Sequence, residues 1–356
     1  MHAASTGSPW PSIARAGGGS ARWQAGAYTF ETVHRNRLYL KGQVVKENFP
    51  LEEISECFGD PDAVVWLDLQ RPSESDLHAI TVEFGLHELA VEDAVHPHER
   101  PKLDRYDTHL FLSAYAVDFD EKLAVVHANE IAVFVLSHAL ITVRKSDGFD
   151  IDQVVARWDA SHEFADEGVA FLLYGLLDVV IDGHFAAVQA LDDQIEALED
   201  LLFDDRRAQV EVVQRRSFEL RKSLVLLRRV VLPMREVINA LLRRDLHVVS
   251  ERMGPYYQDV YDHVLRATEW TDSLRDLVNS ILETNITIQG NRMNLIMKKV
   301  TSWAAIIAVP TAITGFYGQN LPYPGFGKDS GLIVSCGLIV GLGVVLYVAF
   351  KRWEWL

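Results

Sequence analysis

The hydrophobic pattern changes character along the chain. In the first third, short runs of branched and aromatic residues are bounded by turn residues, at 37–40, 63–69, 109–117, 129–136 and 139–144. They predict strands, the last three as a meander. Between them, 73–84 and 87–94 have helical spacing, and Ser73-Glu74-Ser75-Asp76 offers a serine cap with acids in the first turn. Beyond residue 149 strand signals fade. A short helix is expected over 152–158. Residues 168–203 then carry Leu172, Leu176, Val180, Val188, Leu191, Ile195 and Leu198 at helical spacing, and 206–245 repeats the pattern. The two segments predict an antiparallel helical hairpin.

From Pro255 to Pro310 there is no other proline and a single glycine, Gly290, while apolar positions continue through Val260, Val264, Leu274, Leu277, Ile281 and Ile288. This predicts one helix over 255–317, roughly 95 Å long. Its end is uncharged: residues 300–317 give roughly 27 Å of helix, close to the ~30 Å core of a bilayer. A second uncharged run follows at 331–350. The pattern thus gives two membrane candidates, both at the end of the chain. So long an uncapped helix needs packing partners, and self-association around a stalk is expected.

Steps of three and four along the first span connect Asn294, Met297, Thr301, Ala304, Ala308, Thr311, Gly315 and Gly318, a small or polar face. Ile296, Val300, Trp303, Ile306, Ile307, Pro310 and Ile313 lie on the other side and suit lipid or a second ring of helices. Small residues let helices pack closely; the same face can also line a wet path. Asn294 and Asn320 at its two ends favour the wet path, because buried amides need partners. Two helices cannot enclose such a path, so it requires a cyclic oligomer. The second span, with Gly337, Gly341 and Gly343 among Leu, Val and Ile, reads as a lipid-facing outer helix.

The resulting fold class is an α+β cytoplasmic domain with a long helical stalk and two C-terminal transmembrane helices. The expected divisions are a disordered extension (1–26), the α/β domain (27–150), the hairpin (151–253), the stalk with its first span (254–317), an outer loop (318–330), the second span (331–350) and a basic tail (351–356). A net charge of −16 argues against a nucleic-acid partner. Two cysteines, Cys57 and Cys336, exclude a disulfide framework or a cysteine zinc site. The N-terminal stretch has no signal-peptide core. Lys298 and Lys299 precede the first span and Lys351 and Arg352 follow the second, so both termini are expected in the cytoplasm of a multi-pass protein of the cell membrane. The hairpin is polarised: residues 206–244 hold eleven Lys or Arg against three Glu, whereas the preceding segment ends in Asp192, Asp193, Glu196, Glu199 and Asp200. Solvated helix faces account for such runs. No nucleophile and base constellation stands out, and no organic cofactor is indicated.

Tyr317-Gly318-Gln319-Asn320 ends the first span, ahead of a short loop, a second span and the tail Trp355-Leu356. This resembles the CorA family of divalent-cation channels, whose signature is Tyr-Gly-Met-Asn. Leu89-Ala-Val-Glu-Asp with Arg100-Pro-Lys, and Asp259-Val-Tyr-Asp-His, resemble two further family segments in the right order. The resemblance implies a homopentameric funnel in the lipid bilayer that passes Mg2+, with Co2+ and Ni2+ as surrogates. It implies an amide ring at Asn320, polar rings at Thr311 and Asn294, and an apolar constriction at Met297 and Val300. It also implies regulatory Mg2+ between protomers at Asp93 and Asp259, with Glu92 and Glu283 as further candidates. His87, His96 and His98 lie nearby, as caps or as a zinc site. Gln319 departs from the signature methionine, and a proton-coupled Zn2+ transporter on the same scaffold or a non-conducting metal sensor remain alternatives.

Overall fold

The computed structural model describes residues 33–54, 60, 62–96, 100–121, 123–203, 210–243, 246, 248–319, 322 and 324–356. The 1–26 extension, Cys57, His98 and Asn320 lie outside the described residues. Among the described residues, seven strands form one sheet: β1 (Val33–Leu40), β2 (Gln43–Glu47), β3 (Ala63–Gln70), β4 (Lys102–Arg105), β5 (Leu110–Asp120), β6 (Val125–Val135) and β7 (Ala139–Arg144). Their order is β2-β1-β3-β7-β6-β5-β4, with β3 and β7 parallel and every other pair antiparallel. The expected meander is β5-β6-β7. Two strands were absent from the hydrophobic pattern. β2 is exposed at all its positions, and β4 is a four-residue edge strand. Neither buries a face, so neither leaves a period-two signal.

The sheet separates two helical layers. On one face, α1 (Glu74–Phe84) and α2 (Glu88–Val95) cover Leu67, Leu69, Phe111, Phe134 and Ile141. Ser73 caps α1 as expected, its Oγ accepting from Asp76 N while Ser73 N donates to the Asp76 carboxylate. The opposite face, with Trp66, Leu112, Ile131, Val133 and Leu140, packs on α3 (Asp152–Ala160), α4 (Val169–Phe203), α5 (Val210–Leu242) and the start of α6 (Gly254–Tyr317). The parallel β3–β7 pair is pinned by a buried ion pair. Arg144 Nη2 donates to Asp68 Oδ2 at 2.7 Å, and Thr142 Oγ1 donates to Asp68 Oδ1 at 2.7 Å.

α4 and α5 are antiparallel: the start of α4 shares a core with the end of α5, and Leu191, Ile195 and Leu198 share another with Val213, Leu220 and Leu224. α6 joins them as a third helix. Tyr257 Oη donates to Ala170 O at 2.9 Å near its start, and Ile281 is its last apolar residue buried in the body. Among the described residues, three helices are long and apolar enough to cross a membrane: α4, α6 and α7 (Asp329–Arg352). Their surroundings separate them. The apolar window of α4 is 67% buried, against 6% for α6 and 0% for α7. The apolar run of α4 therefore serves the core, and α6 and α7 remain as the two membrane candidates expected from the sequence.

A candidate ion path and its carboxylates

After Leu282, α6 continues without a break to Tyr317, through Pro310. Proline lacks an N–H, and the helix holds together around it. Thr314 Oγ1 donates to Pro310 O at 2.8 Å and Thr311 Oγ1 to Ile307 O at 3.1 Å. The partly or fully covered residues of the span are Ser302, Ala305, Ile306, Val309, Pro310, Ile313 and Tyr317. They form one stripe at helical spacing, and α7 packs against α6. α7 has a matching stripe of part-buried residues at Ser335, Ile339, Gly343, Leu346 and Ala349, and its other positions are largely exposed.

Asn294, Met297, Thr301, Ala304, Ala308, Thr311, Gly315 and Gly318 are all exposed. At 100° per residue, their mean direction is about 150° from the covered stripe. Thus α7 leaves the small, polar face bare. Val300, Trp303 and Ile307 are bare too and apolar. Just before the span, Asn291, Asn294, Lys298, Thr301 and Trp355 line an open hollow, Trp355 having folded back against α6. Trp355 stacks on Phe350, with ring centroids 5.7 Å apart.

The φ of Gly318 is −82°, an ordinary right-handed value, so it does not close the helix by a left-handed turn. It is needed for closeness: Gly318 N donates to Thr314 O at 2.8 Å, and an added Cβ would lie 3.0 Å from that oxygen. Gln319 N donates to Phe316 O at 3.3 Å.

The candidate carboxylates occupy different layers. Asp93 and Glu92 lie on α2, on one face of the sheet, and Asp259 lies on α6, on the other. One chain does not bring them together. Asp93 is ion-paired with Lys102, whose Nζ is also 2.9 Å from Asp104. Burial alone would lower the Lys102 pKa, but its bonds to Asp93 and Asp104 outweigh that and raise it. Asp259 is exposed, with the imidazole of His263 at 3.9 Å. Glu92 and Glu283 are exposed. His87 is an N-cap, Nδ1 accepting from Leu89 N at 3.2 Å, and His96 Nδ1 bonds Glu92 O at 3.0 Å. Both serve α2 as caps. Among the described residues no group of three His, Cys, Asp or Glu could hold a metal ion.

One residue escaped the sequence reading. Asp178 on α4 is buried, and burial raises its pKa against the opposing pull of Arg157. Arg157 Nη1 is 2.5 Å from Asp178 Oδ2, and Asp178 feels the charges of Asp182, His263 and Asp259. Its sequence signal was a pair of acids, Asp178 and Asp182, inside an otherwise apolar run.

Residues 61–352 match the profile of the family described as "CorA-like Mg2+ transporter protein". The chain belongs to the CorA family. Among CorA relatives, it is 28% identical over 322 residues to the cobalt/magnesium transport protein CorA of Thermotoga maritima, covering 87% of this chain and 91% of that one. It is 26% identical over 275 residues to the zinc transport protein ZntB of Yersinia pseudotuberculosis, covering 72% and 77%. The complete structure of the CorA magnesium transporter from Methanocaldococcus jannaschii superposes with a TM-score of 0.71 at 22% identity, covering 91% of this chain and 99% of that one. The CorA fold is thus present from the sheet to the C-terminal helix.

Proposed function

We propose that the chain assembles as a homopentamer in the cell membrane and passes divalent cations, Mg2+ above all, inward through a path lined by α6. The bare face of α6 carries this reading. It is small and polar over Asn294, Thr301, Ala304, Ala308, Thr311 and Gly315, and α7 packs on the opposite side. A lone helix pair gains nothing from exposing Thr and Asn to lipid; a ring of such faces encloses water. Asn320 supplies the amide ring at the outer mouth, beside Gly318 and Gln319. Mg2+ gives up water reluctantly, so neutral amide oxygens suit the hydrated ion. The drive is the membrane potential, about 2.3 kcal/mol per charge per 100 mV, doubled for a divalent ion.

Regulation follows from the layering. Asp93 and Asp259 lie on opposite sides of the sheet, so a shared Mg2+ joins neighbouring protomers, with Glu92 and Glu283 adding charge. Carboxylate oxygens are the donors that Mg2+ prefers. Without the ion, the junctions loosen and the path opens.

Flux into liposomes tests the reading. Purified chain admits Mg2+ under an inside-negative potential with no pH gradient, and Asn320→Ala abolishes selective uptake while the pentamer persists. Unchanged uptake by the variant removes Asn320 from the filter. The likeness to a zinc transport protein, together with Gln319, favours a second reading, proton-coupled Zn2+ transport. Strict dependence on a proton gradient with Zn2+ preferred selects it. Absence of flux under every gradient leaves a membrane metal sensor.

A further inference from the structure

The α4–α5 hairpin is charged in opposite senses on its two outer faces. α4 holds seven Asp or Glu and no Lys or Arg. α5 holds seven Lys or Arg against three Glu, in a chain whose net charge is −16. The two helices are adjacent and antiparallel, so the acidic end of α4 and the basic start of α5 lie at the same height. Adjacency would let them neutralise one another. Among the described residues they do not: Asp193, Glu196 and Asp200 are exposed, as are Arg216, Arg221, Lys222 and Arg229, and no ion pair joins the two sets. Intrachain pairs exist on α5, Arg215 with Glu219 and Arg228 with Asp272 of α6, but they lie within the helix or toward the stalk.

Shape accompanies charge. The basic face also exposes Phe218 at 54% and Val225 at 47%, seven residues apart and flanked by cations. The acidic face exposes the small Ala186 and Ala197 between its carboxylates. A ridge of bulky residues edged with cations fits a flat face edged with anions. Every protomer carries both faces, at one height, on one hairpin. That is the geometry of a head-to-tail contact, which closes into a ring when the rotation permits.

We infer that the basic, Phe218/Val225 face of α5 docks on the acidic, Ala186/Ala197 face of α4 of a second copy of this chain, as a cytoplasmic belt around the stalk. The belt rests on the oligomeric reading above and adds a contact to it. Exposed ion pairs are individually weak and screened by salt, so the belt acts through several pairs at once. It tightens at low ionic strength and leaves the hairpins splayed at high.

Two experiments on the full-length protein in detergent test this. In the first, two differently tagged chains are co-produced with Cys57 and Cys336 replaced by serine, one carrying Ala186→Cys and the other Val225→Cys, which lie at the same height on the hairpin. Oxidation links the two tags, a link that a single chain cannot make. In the second, Arg221→Glu, Lys222→Glu and Arg229→Glu together raise the dissociation constant of the assembly about tenfold. Adding Asp193→Lys, Glu196→Lys and Asp200→Lys restores it. Absence of the link while the assembly stays intact overturns the belt, as does a triple reversal that leaves dissociation unchanged. A reversal that alters only binding to phosphatidylserine vesicles assigns the face to lipid and also overturns it. Failure of the oligomeric reading itself registers separately, as a monomeric unaltered chain.

Discussion

A methyl group at Gly175 would stand 2.5 Å from Trp158 Cδ1 and nearer still to Nε1. The indole cannot withdraw. It is 1% exposed, its N–H donates to Leu172 O at 3.1 Å, and its ring meets Trp66 edge-on at 4.9 Å. Alanine gains about 1 kcal/mol over glycine in a helix interior, but overpacking costs about 1–3 kcal/mol, so the clash decides. Gly175→Ala is expected to lower the thermal midpoint of the soluble body, read by circular dichroism. An unchanged midpoint would mean the tryptophan relaxes freely. His184 sets a pH limit on the same helix. It is fully buried with Nε2 2.6 Å from Tyr115 O, and burial lowers its pKa to about 4. The unfolded chain binds a proton near pH 6.5 that the folded chain refuses until about 4, so its contribution is whole above 6.5 and is lost as pH falls toward 4. Hydrogen exchange in α4 and β5 should accelerate over that window, and His184→Gln should flatten the dependence. Neither residue announced itself in the sequence. The partners lie 17 residues apart for Gly175 and 69 for His184, and only tertiary packing joins them.

The first span was legible because a helix repeats its faces every 3.6 residues. The stripe through Thr301, Ala308 and Gly315 needed only counting. Which side the second span would take was not legible, since Leu, Val and Ile of α7 fit lipid and protein alike; the part-buried Ser335, Ile339, Gly343 and Leu346 define it only in three dimensions. The missing β2 and β4 have a similar cause, for an edge strand is held by backbone bonds that any residue can make. The bare and covered faces of the span predict a contrast. Ala308→Phe fills the axis of a ring and should abolish Mg2+ uptake in liposomes. Val344→Phe, on the exposed surface of α7, should leave uptake within about twofold, as substitutions away from special features usually do. Equal effects of the two would remove the bare face from the ion path.

At the scale of the whole molecule, the sheet separates Asp93 from Asp259, and in the proposed pentamer that layering would turn into communication between chains. Lys102 already neutralises Asp93, so an arriving Mg2+ competes with a tethered cation. Lys102→Ala should therefore shift shut-off of uptake to lower internal Mg2+, and Asp93→Ala with Asp259→Ala should keep uptake high at millimolar internal Mg2+. Normal shut-off in the double variant excludes this carboxylate pair as the sensor. The pairing of Asp93 with Lys102, nine residues apart, was not read from the sequence, because it depends on how α2 leads into the edge strand β4.

α6 also has a mechanical consequence. Beyond Ile281 it runs unbroken to Tyr317 for roughly 54 Å, with α7 packed on its far end. A tilt of about 3° where it leaves the body swings its far end by about 3 Å, on the order of one water diameter. Moved as one piece, the rod would turn a displacement too small to disturb a core at its base into a shift of about one water diameter at Gly315 and Gly318, along the proposed ion path.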